Sequence, residues 1–336
     1  MTRAAVLLHE GVASRVFQHA RAVVMHRGKT VFDDGTTSAG AKFDLASVTK
    51  VMSTTALLCR LGVSPQVRVG EAFPEAASAH LTVADLAFHR SGLPAFVPFF
   101  AHREPALAAA LRVAPVAPPK TTAVYSDIGF ILLGAMLEKL HGAPLDALFQ
   151  RHVAEPFGLT ASHFRRVSTS KPDPLVVSTG GTRPREPAPG QEGLWSVTSG
   201  PSSDGDVDDD NAYVLDGVAG HAGLFATAAD VARFGQAVLE GRIASPVGWE
   251  RDGSTPGSTR AFGFDTPSVD APSCGPRFGP RAIGHLGFTG TSLWIDFDRE
   301  LVVALLTNRV IFGRANVQIR AFRPRFHEAV LDDLGL

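Results

Sequence analysis

Cysteine is scarce in this chain, and none of its apolar runs approaches the length of a membrane span. Two cysteines in 336 residues exclude a disulfide-dense secreted scaffold, and they are not paired at zinc spacing. Cys59 falls in an apolar helical pattern and reads as a small core hydrophobe. Cys274 lies in a Pro/Gly-rich loop, and a disulfide between the two stays open. An excess of either charge is equally lacking. Lys and Arg total 32 against 33 Asp and Glu, a net charge of -1, with no long basic run. That removes the electrostatic footprint of a nucleic-acid or anionic-membrane binder. His-Glu-x-x-His is absent despite 12 histidines, and so is Gly-x-Ser-x-Gly. Neither a metalloprotease site nor an α/β-hydrolase nucleophile elbow is therefore expected, and no cofactor or metal is called for. His89 and His221 read as hydrogen-bonded structural residues. The segment Met1 to Glu10 is too briefly apolar and too soon charged for a secretory signal, so a cytoplasmic location is expected.

What the chain does hold is core-forming residues, 45% of the total, enough for one large domain or two lobes. Its most informative stretch is Phe43-Asp-Leu-Ala-Ser-Val-Thr-Lys50, where a polar lead gives way to Val48, Val51, Met52, Leu58 and Leu61. If that run is helical, Ser47 and Lys50 share a face at i and i+3. Burial there would lower the lysine pKa and leave an amine able to take the serine proton, which is the chemistry of acyl transfer. A second copy, Ser168-Thr-Ser-Lys171, is followed by Pro172 and Pro174 and reads as loop.

Two further stretches fit a site. One of only two tyrosines lies in Val124-Tyr125-Ser126-Asp127, ahead of the helical pattern Ile128 to Leu140, where Tyr125 can project into a cleft and Asp127 can serve as N-cap. Gly284-His285-Leu286-Gly287-Phe288-Thr289-Gly290-Thr291 precedes a strand pattern at Leu293 to Phe297. Small residues there let a substrate approach the backbone, and an edge N–H can serve as an oxyanion donor.

In this order and separation, Ser47-x-x-Lys50, Tyr125-x-Asp127 and His285-x-Gly287 resemble the three active-site motifs of the penicillin-recognising serine hydrolases. The match is to the branch with class C β-lactamases, similar D-alanyl-D-alanine carboxypeptidases and related esterases. The segments Leu81 to Pro94, Gly217 to Asp230 and Leu305 to Arg309 resemble that family's inter-motif helix and turn, its glycine-rich return to the sheet and a late core strand. The resemblance implies Ser47 as nucleophile, Lys50 and Tyr125 sharing the proton transfers, and the Ser47 and Phe288 N–H groups as oxyanion hole. Asp127, His285, Gly287 and Thr289 would bind or support the substrate, a small ester, amide or peptide-like molecule. Asp127 stands where the family more often has asparagine, and His285 where it often has lysine. Both changes weaken attraction for a substrate carboxylate unless Asp127 is paired, for instance with Lys50. They favour an esterase ahead of a β-lactamase or peptidase, and leave a silent sensor or scaffold as the alternative.

The expected fold is α+β: an antiparallel sheet flanked by helices, plus a mostly helical lobe. Hairpins are predicted at Ala22–Phe32 and Leu293–Leu306, helices at Val83–Phe88, Pro105–Arg112, Ile128–Leu140 and Leu145–Val153, and a closing helix at Ala321–Leu334. The sheet lobe would comprise residues from about 1–60 and 218–336, the helical and irregular lobe about 61–217. From Val167 to Asp216 periodicity gives way to Pro, Gly, Ser and Thr, marking a long irregular segment suited to a lid. Its acidic run Asp204 to Asp210 fails the calcium-loop pattern at Asp209 and Leu215, and reads as solvated.

Overall fold

A computed structural model describes residues 1–180 and 205–336. The described residues form eight strands: β1 (Ala20–His26), β2 (Lys29–Gly35), β3 (Phe43–Asp44), β4 (His163–Phe164), β5 (Leu224–Ala226), β6 (Ile283–Leu286), β7 (Ser292–Asp296) and β8 (Leu301–Thr307). Five of them make one antiparallel sheet in the order β2-β1-β8-β7-β6. Both predicted hairpins are present. In the first, Arg27 and Gly28 both take left-handed backbone (φ 50° and 73°), the pairing that a tight two-residue hairpin turn demands. In β8, at the centre of the sheet, side chains alternate strictly between two apolar layers. Leu301, Val303 and Leu305 face one layer, Val302, Ala304 and Leu306 the other. A strand covered on both faces reads as the unbroken apolar run seen in the sequence.

Helices cover both faces. The Ala228–Leu239 helix lies in the layer with Val302 and Ile295, which continues through the Ser47 helix into the helical middle of the chain. The other face carries the closing helix, Ile319–Leu334, and an N-terminal helix, Arg3–Ala13, capped by Thr2. That first helix is a feature the sequence reading passed over. Its buried positions Ala4, Ala5, Leu8 and Gly11 carry the helical spacing, but small residues at three of the four make the signal faint.

The Gly217–Asp230 segment does not return to the main sheet. Its strand β5 pairs with β3 and β4 in a separate three-stranded sheet. Strands of two or three residues carry too little alternation to be read from sequence. The predicted middle helices appear as Val83–Ala87, Ala106–Leu111, Asp127–His141 and Leu145–Phe149. The second Ser-x-x-Lys copy lies in turns, with Ser168 Oγ donating to Asp216. Residues 181–204, about half of the predicted lid and including Asp204 of the acidic run, lie outside the described residues.

Candidate active site

The backbone that presents Ser47 is locally unusual. Ala46, just before it, takes left-handed backbone at φ 45°, a conformation alanine pays to adopt and that clusters at functional sites. Asp44 holds that conformation, its carboxylate accepting the Ala46 N–H at 2.8 Å. The chain then passes through a 3₁₀ turn at Ala46–Val48, a π-helical stretch at Lys50–Thr55 and an α-helix at Ala56–Arg60, rather than the uniform helix expected. Widened helical turns of this kind are frequent at functional sites. The predicted i, i+3 contact forms within it, with Lys50 Nζ donating to Ser47 Oγ at 2.9 Å.

Lys50 is fully buried among polar partners. Besides Ser47, it donates to the His221 carbonyl at 3.1 Å and forms an ion pair with Asp127 Oδ1 at 2.7 Å. Here the sequence reading needs correction. Burial does push the amine towards its neutral form, but the charge of Asp127, seconded by Tyr125, reverses the balance and holds Lys50 above the ordinary lysine range. The resting state is an ammonium ion paired with a carboxylate. Asp127 is not the N-cap either. Ser126 caps the Asp127–His141 helix, and Asp127 is its first helical residue, free to turn towards Lys50.

Tyr125 is half-buried, and its hydroxyl interacts with both Lys50 and Ser47. Burial, reinforced by the charge of Asp127, raises its pKa against the opposing pull of Lys50. The ring is held from behind by His89, with centroids 4.6 Å apart. His89 Nδ1 accepts the Ser126 N–H at 3.0 Å and so anchors the whole Tyr125–Asp127 segment. His285 is buried and neutral, its pKa far below the ordinary value through burial and the nearby charges of Lys50 and Arg260. Its Nδ1 lies 2.9 Å from the Leu286 carbonyl, which places the proton on that nitrogen.

The third stretch is stitched to the first. Thr289 Oγ1 donates to the Asp44 carbonyl at 2.8 Å and Thr291 Oγ1 to the Leu45 carbonyl at 2.9 Å. At Gly287 a Cβ would overlap both Thr291 Oγ1 and the Leu45 carbonyl, so only glycine permits this approach. Among the described residues no backbone acceptor takes the N–H of Ser47 or of Phe288. A cleft of about 420 Å³ opens here, lined by Ser47, Tyr125, Asp127, His285, Gly287 and Phe288. Thr289 lies fully buried behind it and supports the strand without facing the cleft.

Several groups at this site had no role in the sequence reading. In the described part of the acidic run, Asp206, Asp208 and Asp210 are buried where solvated residues were expected. Arg314 donates to Asp210 at 2.8 Å and to the Asp208 carbonyl at 2.6 Å, His221 meets Asp209 at 2.9 Å, and the Asp208 N–H donates to Asp44 at 2.7 Å. Partners about 12 to more than 160 positions away in sequence leave no local signal of this burial. Arg260, from an irregular stretch, lies over the Tyr125 ring at 5.2 Å and pairs with Asp265 at 3.3 Å. Both cysteines are free.

Comparison with known proteins identifies the family and the fold. The N-acetylmuramyl-L-alanine amidase of Bacillus subtilis (strain 168) is 30% identical over 316 residues, covering 80% of this chain and 68% of the relative. A protein of Escherichia coli (strain K12) named "Putative D-alanyl-D-alanine carboxypeptidase" is 28% identical over 315 residues, covering 81% and 70%. The structure of EstCE1, a hydrolase with promiscuous acyltransferase activity, shares the fold with a TM-score of 0.69 at 18% identity, covering 96% of this chain and 97% of that one. The family model described as Beta-lactamase matches residues 5–322, and the chain belongs to that family of serine hydrolases.

Proposed function

We propose that the protein hydrolyses carboxylic esters or amides through an acyl-enzyme on Ser47, with simple esters preferred to β-lactams and D-Ala-D-Ala peptides. The observation that carries this reading is the 2.9 Å contact between Ser47 Oγ and Lys50 Nζ at a cleft shared with Tyr125 and the Phe288 edge. Attack requires a lone pair on Lys50, so the ammonium first gives a proton to Asp127, 2.7 Å away. The Ser47 proton then moves to the freed amine as Oγ bonds to the carbonyl carbon. The carbonyl oxygen becomes an anion between the Ser47 and Phe288 N–H groups. Collapse breaks the bond to the leaving group, which takes its proton from Lys50 through Tyr125. Water releases the acyl group by the same route in reverse.

The ranking of substrates rests on the charge at two positions beside the nucleophile, 127 and 285, weighed apart from the arginines that also line the cleft. A neutral His285 and a carboxylate at position 127 offer a substrate carboxylate little attraction, and β-lactams and D,D-peptides carry one. The amidase and carboxypeptidase names of the relatives keep amides and peptides in the test panel. A second reading, a slowly acylating sensor or scaffold, is favoured by one observation: Lys50 rests as a paired ammonium ion.

Intact-mass measurement after a fluorophosphonate should show one adduct, lost in Ser47→Ala. Labelling that persists in that variant would defeat the assignment. Multiple turnovers on activated esters would remove the sensor reading, and a nitrophenyl ester, nitrocefin and a D-Ala-D-Ala peptide compared side by side would rank the substrates.

A further inference from the structure

We infer that Arg323 is a positioning residue of the oxyanion site, orienting and polarising through the Gly287 carbonyl the peptide group whose N–H is the Phe288 donor. The inference rests on the Ser47 acyl-enzyme reading. The Gly287 C=O and the Phe288 N–H are the two ends of one planar peptide group, so whatever fixes the first fixes the second. Arg323 Nη2 donates to the Gly287 carbonyl at 2.9 Å and to the Thr291 carbonyl at 2.8 Å. Rotating the Phe288 N–H away from the cleft would break a charge-assisted hydrogen bond inside a buried site. On the far side of Phe288, Arg309 Nε donates to the Phe288 carbonyl at 2.7 Å, so both peptide planes flanking this residue are clamped by guanidinium groups.

The clamp is also electrostatic. A cationic donor at the carbonyl end draws electron density through the amide and strengthens the N–H at the other end as a donor. Arg323 is 5% exposed, forms no ion pair with a carboxylate among the described residues, and leaves its Nε without a partner. Burial and the like charges of Arg309 and Arg320 lower its pKa to about 9, which leaves it cationic at neutral pH. A structural role alone is poorly served by a buried unpaired charge, since an apolar or neutral side chain fills such a place at lower cost. An oxyanion forming across the Gly287–Phe288 peptide is the countercharge that lessens this cost, and it exists only on the way to the tetrahedral intermediate.

The test compares Arg323→Gln and Arg323→Lys with the wild-type protein, using a nitrophenyl ester, a boronic acid matched to its acyl group and the product carboxylic acid. Boronates form a tetrahedral adduct on the nucleophile and so report on the oxyanion site, whereas the product acid reports on ground-state binding. In Arg323→Gln, kcat should fall on the order of 10- to 100-fold with KM little changed, and boronate affinity should fall by a similar factor while product affinity holds. Arg323→Lys should recover part of both losses, and it carries the comparison if the glutamine variant does not fold. Boronate affinity that stays unchanged, or that falls only together with product affinity, would overturn the inference. A wild-type protein that forms no boronate adduct on Ser47 would instead overturn the acyl-enzyme reading beneath it.

Discussion

Replacing Asp127 with asparagine keeps the size of the side chain and removes the charge that holds Lys50 as an ammonium ion. Breaking a buried ion pair costs about 3–5 kcal/mol when the orphaned charge cannot escape. Lys50 can escape by losing its proton, and the Asp127 side chain is 21% exposed, so the lower end of that range applies. About 3 kcal/mol corresponds to roughly a 10²-fold larger fraction of free amine at a fixed pH below the lysine's titration. The contacts of Lys50 with Ser47 and the His221 carbonyl do not involve Asp127 and survive the change. On the acidic side of its profile, kcat/KM of Asp127→Asn for a nitrophenyl ester should therefore exceed wild type by up to about 10²-fold, the acid limb moving to lower pH. Stability should move the other way. A group whose folded pKa is raised contributes stability below its unfolded value and loses it as pH rises through the folded value, so the variant should melt lower at neutral pH, with the gap closing in alkali. Rates and thermal melts over a series of buffers from about pH 5 to about pH 10 provide both readouts. An acid limb that stays in place, or a uniform loss of rate across the series, would refute the reasoning.

Tyr125→Phe removes the hydroxyl linked to both Ser47 and Lys50, and should lower kcat on the order of 10²-fold with an unchanged melting temperature. Asp44, buried between the nucleophile turn and the Asp208 N–H, has its pKa raised by burial to about 7. It therefore favours the folded state most at low pH, and that contribution fades as pH rises from about 4 to about 7. Asp44→Asn should lack this falling component, so the stability advantage of wild type over the variant should itself decline from about pH 4 to about pH 7, as chemical denaturation at several pH values would reveal. Gly287→Ala should push the third stretch away from Leu45 and cost on the order of 10²-fold in kcat, and wild-type turnover in that variant would contradict the close packing drawn at this point.

Much of the architecture was legible because its signals are local. The alternation in β8, the Arg27-Gly28 turn and the apolar spacing of Ile128 to Leu140 each follow from residues within one element. Three short stretches, far apart in the chain, also pointed to Ser47, Tyr125, Asp127, His285, Gly287 and Phe288 in the cleft lining, since each carries its own chemistry in sequence. What escaped was of two kinds. The Arg3–Ala13 helix is spelled in small residues, and strands of two or three residues hold too few positions to show a period.

The second kind is electrostatic, and there the sequence by itself could go no further. It determined that a hydroxyl, an amine and a phenol were available, that Ser47 and Lys50 would meet at i and i+3, and that the core could close around them. Whether Lys50 rests charged or neutral was decided by Asp127, 77 positions away, seconded by Tyr125. The burial of Asp208 and Asp210 depended likewise on Arg314, and the orientation of the Phe288 peptide on Arg323. Protonation in a buried site is a sum over every charge and dipole within a few ångströms, and only the folded chain sets those distances.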